Sequence, residues 1–232
     1  MLGAAMQEEG RSFNVRVYSA CDSDPIARSM LLNYIPGCKA APEHVFGDIC
    51  ERVPSGLLQR MKKREATILA QSRRADTPEA QASLGEALLC MICQALDNAV
   101  FEGSCWCYKH GRFCPLMPED SDKYEHADFT GSECLAWSSM LSSSLAKRKW
   151  LHTSTLVCMV WVYTLRKQCP RWFVHECVAT FDVDKLRTQL PQYWLLTMAF
   201  SDSPPRCSEH RQTGKGVTRS ASRRTPFRAM LR

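Results

Sequence analysis

The stretch "SFNVRVYSACDSDPIARSMLLNY" (residues 12–34), together with the later "HVFGDI" (residues 44–49), decides the fold class. Residues 12–21 alternate apolar and polar side chains, and this alternation predicts a β-strand. Asp24 then stands at a helix-capping position, and Pro25 suits the first turn of the helix that follows. Because "HVFGDI" predicts a second strand, the segment predicts a strand-helix-strand unit and hence a parallel sheet.

The remaining chain continues as a mixture of helices and strands. Residues 52–101 have a mostly helical pattern, and a loop rich in Cys, Gly and Pro is predicted from residue 102 to residue 123. An apolar helix, "TSTLVCMVWVYTLRK", and a short amphipathic one, "DVDKLRTQL", follow. Three further strands are predicted in "YEHADF" (124–129), "RWFVHEC" (171–177) and "QYWLLTMAF" (192–200). The fold class is therefore predicted to be α/β.

The C-terminal residues differ in composition from the rest. From Ser201 onward Ser, Pro and Arg dominate, which predicts a disordered basic tail over residues 201–232. Residues 206–232 contain eight Lys and Arg and one acid, whereas the formal charge of the whole chain is +6. Spaced arginines of this kind are usually solvated, but they also bind phosphates in a salt-dependent way or direct nuclear import.

The chain contains 13 cysteines and shows no charged segment followed by an apolar run near Met1. Its longest apolar stretch, "TLVCMVWVYTL" (residues 155–165), is too short to span a bilayer. We therefore expect a nuclear or cytoplasmic protein that is neither secreted nor bound to a membrane. Reduced thiols, metal ligands or a catalytic thiolate are then favoured over disulfides.

The segment "CWCYKHGRFC" supplies four potential metal ligands within a short span: Cys105, Cys107, His110 and Cys114. Thiolates and imidazoles are the usual ligands of structural zinc. Cys90 and Cys93, at i and i+3 of a predicted helix, could add two thiolates. The alternative is a reduced, Cys-rich segment that binds no metal.

Four short patterns place polar or nucleophilic residues where predicted strands end. Asp22 follows the first strand, and "FGDI" places Gly47, Asp48 and Ile49 at the end of the second. Cys134 lies in the loop "TGSECLAWSSM", where positive charge or backbone donors would activate a thiol. Glu176 ends the strand before "CVATF". Taken singly, each pattern has a simpler explanation. Asp22 could cap a helix, Gly47 and Asp48 could form a turn, Cys134 could be an inert thiol, and Glu176 could be a solvated carboxylate.

In order along the chain, "SACDSDP", "HVFGDI", "GSECLAWS" and "HECV" resemble the motifs of the cytosine-5 DNA methyltransferase family. The resemblance spans about residues 12–200 and implies a Rossmann-like sheet that binds S-adenosylmethionine, incomplete at its N-terminus. It divides the chain into a cofactor-binding half (12–56), a helical and Cys/His-rich insert (57–123), a catalytic half (124–200) and the tail.

The resemblance also implies roles for single residues. Asp22 would bind the ribose of the cofactor, while Gly47, Asp48 and Ile49 would lie at its adenine. Cys134 would be the nucleophile, and Glu176 would hold the edge of a cytosine flipped out of DNA. DNA is thus expected as the substrate rather than RNA.

Some positions depart from the family's motifs. Ser132 and Glu133 replace the prolines that usually precede the nucleophile, and Cys177 replaces an Asn. A carboxylate beside Cys134 predicts a raised thiol pKa and a weaker nucleophile. The sequence therefore leaves open an active enzyme, an inactive relative, or a non-enzymatic protein that binds zinc and nucleic acid through the Cys/His segment and the basic tail.

Overall fold

The computed structural model of the chain describes residues 15–33, 41–131, 137, 149–178, 180–201 and 224–231. These residues form five α-helices and eight strands, so the structure is a mixed α/β fold. The chain divides into two compact units, and the strands of each unit form a four-stranded sheet. Unit 1 comprises Met1–Lys63 and Ala95–Tyr124, and unit 2 comprises Arg64–Gln94 and Glu125–Arg232.

The strand-helix-strand unit predicted near the N-terminus is confirmed. Strand β1 (Ser19–Cys21) runs parallel to β2 (His44–Phe46), and helix α1 (Pro25–Leu32) lies between them in the chain. Asp24 caps α1, since its side chain accepts hydrogen bonds from the backbone N–H groups of Ile26 and Ala27. The cap and first turn of α1 depend on residues 24–27 alone, so local sequence signals predict where this helix begins.

The Cys-rich segment extends the same sheet by a hairpin. Strand β3 (Ser104–Cys107) pairs antiparallel with β2 and with β4 (Arg112–Pro115), which gives the order β1-β2-β3-β4. The prediction of an irregular loop is thus wrong for these residues. Buried Cys105 and Cys107 alternate with exposed Ser104 and Trp106, a two-residue period that marks a strand with one buried face.

Two long helices separate β2 from the hairpin, as the helical pattern of residues 52–101 predicts. A 3-10 helix (Ile49–Arg52) leads into α2 (Ser55–Ser72), and α3 (Pro78–Asp97) follows. Both long helices contain residues of both units. None of the helices in the described part of the chain combines the length and apolar character that a bilayer span requires.

Unit 2 contains a second strand-helix-strand arrangement. Strand β5 (Ala127–Gly131) runs parallel to β6 (Trp172–Glu176), and the apolar helix α4 (Ser154–Gln168) connects them. Helix α5 (Val183–Gln189) and strand β7 (Trp194–Ser201) follow. These elements confirm the predicted order of strands and helices from residue 124 to residue 200.

The last strand differs from the sequence-based expectation. Strand β8 (Arg224–Leu231) lies where a disordered tail is predicted, and it pairs antiparallel with both β6 and β7 in the order β5-β6-β8-β7. Pro226 would weaken an internal strand, but it lies one residue past the pairing with β6, which ends at Phe227. The segment was missed because its partners, β6 and β7, are distant in sequence.

The described residues also contain antiparallel pairs that a purely parallel sheet would lack. β3 and β4 add two of these pairs to the first sheet, and β8 adds two to the second. The described strands form two sheets, whereas the sequence predicts one Rossmann-like sheet.

Candidate metal centre and strand-end residues

The β3–β4 hairpin places cysteine sulfurs on one buried face. Cys105 pairs with Cys114 across the hairpin, and Cys107 pairs with Arg112. Cys105, Cys107 and Cys114 are all buried, together with Phe46 and Leu116. Because side chains alternate along a strand, cysteines two residues apart must share this face.

His110 lies in the turn of the hairpin and reaches two of these sulfurs. Its Nδ1 atom is 3.4 Å from Sγ of Cys107 and 3.5 Å from Sγ of Cys114. The turn is closed by a hydrogen bond from the Gly111 N–H to the Cys107 carbonyl, and Gly111 adopts a φ of 61°. Glycine tolerates this left-handed conformation without strain, so the turn can bring His110 back over the strand ends.

His44 completes the cluster from the neighbouring strand. Phe46 is paired with Cys107, and His44, two residues earlier on β2, lies on the same face near the hairpin turn. Its ring meets that of His110 edge-on, with 4.9 Å between the ring centroids. The Nδ1 atom of His44 is buried and has no hydrogen-bond partner among the described residues.

The four side chains have a composition and spacing suited to a metal ion. The ligand atoms of His44, Cys107, His110 and Cys114 all lie within 4.8 Å of one another. Zinc bond lengths of about 2.3 Å to sulfur and 2.0–2.1 Å to nitrogen place tetrahedral S and N ligands about 3.6 Å apart. The distances from His110 to the two sulfurs agree with that value. The cluster can therefore hold a metal such as zinc.

The protonation states of two members follow from their surroundings. Burial, and then the nearby His110, lower the pKa of His44, which favours the neutral imidazole that coordinates metals. Burial, and then the adjacent Cys107 thiol, raise the pKa of Cys114. A divalent cation would reverse the second effect, since it stabilises thiolates directly.

The four-residue cluster contains three of the ligands predicted from the sequence, Cys107, His110 and Cys114. Cys105 does not belong to the four-residue cluster, and His44 stands in its place. Cys105 lies one strand repeat further along the sheet, among the apolar residues of the core, and burial raises its thiol pKa to about 11. Spacing along the chain pointed to Cys105, whereas only the pairing of β2 with β3 brings His44 to the site.

The second cysteine pair is likewise outside the cluster. Cys90 and Cys93 lie on α3 in unit 2. The Cys93 thiol donates to Oε1 of Gln189 at 3.8 Å, and Cys90 accepts a hydrogen bond from Gln94. Cys90 therefore contacts its own helix, whereas Cys93 contacts a residue distant in the chain.

The two acids proposed for cofactor binding lie at one edge of the first sheet. Cys21 is paired with Phe46 in the parallel register, so Asp22 and the Gly47-Asp48 pair both follow at the carboxyl edge. Oδ1 of Asp22 accepts the N–H of Asp24 at 2.8 Å, and Oδ1 of Asp48 accepts the N–H of Cys50 at 2.9 Å. Both acids therefore also shape the turns in which they stand, and the 3-10 helix begins at Ile49.

Gly47 is surrounded by protein atoms. A Cβ atom at this position would lie 2.9 Å from Oε1 of Glu51 and 3.2 Å from Cε2 of Tyr108. The absence of a side chain therefore lets Tyr108, from the β3–β4 hairpin, approach the strand end directly.

Of the two residues proposed for catalysis, the structure describes Glu176 but not Cys134. Glu176 ends β6 with an exposed side chain and is paired with Gly131, the last residue of β5. Cys134, three residues beyond Gly131, lies outside the described residues.

No protein-family model, curated protein or solved structure matches the chain. Its function is therefore inferred from strand order and from the geometry of these residues.

Proposed function

We propose that the protein is an S-adenosylmethionine-dependent methyltransferase of the cytosine-5 DNA type. The observation that carries this proposal is the position of Asp22 and Asp48 at the carboxyl ends of two paired parallel strands. Ligands of α/β sheets bind outside the carboxyl ends of strands, and an acid at such an end hydrogen-bonds ribose hydroxyls. Asp22 would hold the ribose, and Asp48 with Ile49 would lie at the adenine.

The second sheet supports the same proposal in its own right. Glu176 and Gly131 end two parallel strands side by side, and the Cys134 loop follows Gly131 directly in the chain. Doubly wound folds have the strand order 3-2-1-4-5-6. Taken alone, the pair of β2 and β1 matches the neighbouring third and second strands of that order, and the pair of β5 and β6 matches its fourth and fifth strands.

The proposed reaction uses covalent catalysis on the flipped base. The Cys134 thiolate adds to C6 of cytosine, while Glu176 hydrogen-bonds ring N3 and the exocyclic amino group. Bound S-adenosylmethionine would supply the methyl group to C5 and leave as S-adenosylhomocysteine. A water molecule would then take the C5 proton, and elimination would release the Cys134 thiolate and restore the aromatic ring. Glu133, adjacent to Cys134, would disfavour the thiolate and slow the first step.

Calorimetric titration of the folded protein with S-adenosylmethionine tests the proposal. Asp22→Asn and Asp48→Asn are suitable variants, because Asn retains a side-chain acceptor for the Asp24 and Cys50 N–H groups while it removes the charge. We expect each to weaken binding at least tenfold, and Asp184→Asn, at a carboxylate whose side chain is 90% exposed, to leave it unchanged. Absence of binding by the folded wild-type protein would exclude the activity.

A second function is favoured by the metal cluster. A non-enzymatic protein that binds zinc and nucleic acid would use the His44, Cys107, His110 and Cys114 cluster together with its basic C-terminal residues. It predicts binding to DNA that weakens steeply as salt increases, without any affinity for S-adenosylmethionine. Gel-shift titrations at two salt concentrations, run beside the calorimetry, separate the two functions.

A further inference from the structure

Tyr108, in the turn of the β3–β4 hairpin, lies between two residues of the metal cluster in the chain, and its ring reaches Gly47 at the carboxyl end of β2. We propose that His44, Cys107, His110 and Cys114 bind one structural zinc ion, and that this ion holds Tyr108 against the strand ends that carry Asp22 and Asp48. The metal-binding part stands independently, whereas the consequence for the cofactor rests on the proposed methyltransferase function.

The ligand set is that of a closed, structural site. Two cysteines and two histidines fill the four positions of a tetrahedral zinc ion and leave none for a substrate. Cys107 and Cys114 are 0% and 3% exposed, whereas His110 is exposed at the turn, where an ion can reach the buried sulfurs. Coordination through Nδ1 of His44 would give a partner to this buried atom, which has no hydrogen-bond partner among the described residues.

A metal cross-link would stabilise the hairpin. Its strands are four residues each, and the register with β2 consists of the single pair Phe46 and Cys107. Its outer face is largely solvated, since Trp106 is 41% and Phe113 is 69% exposed. A short two-stranded hairpin is marginally stable by itself. A metal ion bound by residues of β2, β3, β4 and the turn would fix all of them together.

Tyr108 connects this turn with both strand ends. It lies between the ligands Cys107 and His110, and its ring approaches Gly47, the residue before Asp48. The guanidinium of Arg28 lies 4.5 Å from the centroid of the Tyr108 ring. Nη1 of Arg28 in turn donates to the carbonyl oxygens of Asp22 at 2.9 Å and Ser23 at 2.6 Å.

These contacts form a chain from the metal ligands to the backbone beside the two acids. A turn fixed by the ion fixes the Tyr108 ring, which packs on Gly47 and supports the side chain of Arg28. Without the ion, the turn would lose one restraint on the Tyr108 ring, and the loops of Asp22 and Asp48 would lose part of this support. Tyr108 is thus a positioning residue, and we expect cofactor affinity to depend on zinc.

Metal analysis of the purified full chain tests the site itself. We expect one zinc per chain in the wild type and its loss in Cys107→Ser and in His44→Gln. Cys105→Ser is the matched control and should retain one zinc, because Cys105 is outside the cluster. Cobalt substitution of the wild type gives an answer even if a variant fails to fold: a tetrahedral site with two thiolates gives intense visible bands and sulfur-to-cobalt charge transfer. A zinc-free wild type without cobalt bands, or zinc lost only from the Cys105 variant, would overturn the site.

Titration with S-adenosylmethionine, with and without zinc, tests the coupling. Chelation of zinc should weaken binding at least fivefold, and metal restoration should recover it. Tyr108→Ala should retain zinc but weaken S-adenosylmethionine binding at least fivefold. Tyr108→Phe, which keeps the aromatic ring, should bind S-adenosylmethionine like the wild type. Phe113→Ala, on the same hairpin, should change neither the zinc content nor the affinity for S-adenosylmethionine. Equal affinity of the zinc-loaded and zinc-free protein would refute the coupling. A zinc-loaded wild type without affinity for the cofactor would instead refute the proposed function and leave the zinc site intact.

Discussion

Gly131 and Glu176 face each other at the carboxyl end of the parallel pair formed by β5 and β6. A Cβ atom at Gly131 would lie 3.3 Å from Oε2 of Glu176, so the glycine leaves room for the carboxylate beside it. This places an acid next to the strand from which the Cys134 loop departs. The relationship links a residue that begins the proposed nucleophile loop with one proposed to bind the target base.

Glu176→Gln should abolish most methyl transfer while cofactor binding persists. Gln can still donate and accept a hydrogen bond, but it lacks the charge with which the carboxylate can stabilise a protonated cytosine ring. Loss of a positioned acid-base group costs about 10²–10⁴-fold in rate. Transfer of a radiolabelled methyl group to cytosine-containing DNA measures turnover, and calorimetry measures cofactor binding. Glu119→Gln, at an exposed acid in unit 1, is the control. A turnover equal to that of the wild type would remove Glu176 from the mechanism.

Signals confined to a few neighbouring residues allowed much of the fold to be predicted. Asp24, Pro25 and the alternating apolar residues of β1 predicted the first strand-helix-strand unit, because capping and alternation are local properties. Strand β8 was missed because its stability comes from pairing with β6 and β7, and its own composition resembles that of a solvated tail.

The same limit explains why the cluster in the structure differs by one residue from the predicted ligand set. Cys107, His110 and Cys114 lie within one hairpin, so their spacing was informative. His44 is far from them in sequence and reaches them only through the pairing of β2 with β3. Its place at the start of a strand gave no sign of coordination. Cys105 and Cys107 share one buried face, but the sheet register places only Cys107 beside His44 and His110.

Phe173→Ala should strongly destabilise unit 2. The Phe173 side chain is fully buried on β6, and its ring meets Trp161 and Tyr193 with centroid distances of 5.6 and 5.0 Å. Truncation of such a ring costs about 3–5 kcal/mol through lost burial and the cavity left behind. Trp194→Ala, at a side chain that is 83% exposed, should cost about 0.5 kcal/mol or less. Denaturant unfolding of the two variants provides the comparison, and similar midpoints would contradict the assigned core.

Cys169→Gly should stabilise the C-terminus of α4. Cys169 has a φ of 47° and a ψ of 50°, and its N–H closes the helix on the Leu165 carbonyl. A left-handed conformation costs a residue with a side chain about 1–2 kcal/mol, which glycine avoids. The greater freedom of glycine in the unfolded chain offsets part of this gain, so we expect a net increase of about 0.5–1 kcal/mol. Cys169→Ala keeps the strain and is the control, and a glycine variant no more stable than the alanine variant would contradict the cap.

The thiols of Cys21, which is partly buried, and Cys105, which is buried, should make the protein less stable in alkali. Burial raises the pKa of both Cys21 and Cys105 to about 11 from an ordinary value of 9.0. Cys21 also donates to the Gly47 carbonyl at 2.8 Å, an interaction that requires its proton. Since the unfolded chain releases these protons first, the stabilisation is complete below pH 9 and declines as pH rises towards 11.

The free energy of unfolding, measured between pH 8 and pH 11 in the wild type and in the Cys21→Ala/Cys105→Ala double variant, isolates this effect. Lys and Tyr residues titrate in both proteins, so the difference between the two pH profiles reports the two thiols alone. We expect the double variant to be less stable at pH 8, because it leaves cavities, and to lose less stability as pH rises. Parallel profiles would show that the thiols ionise equally in the folded and unfolded states, contrary to their burial beside Phe46 and Leu116.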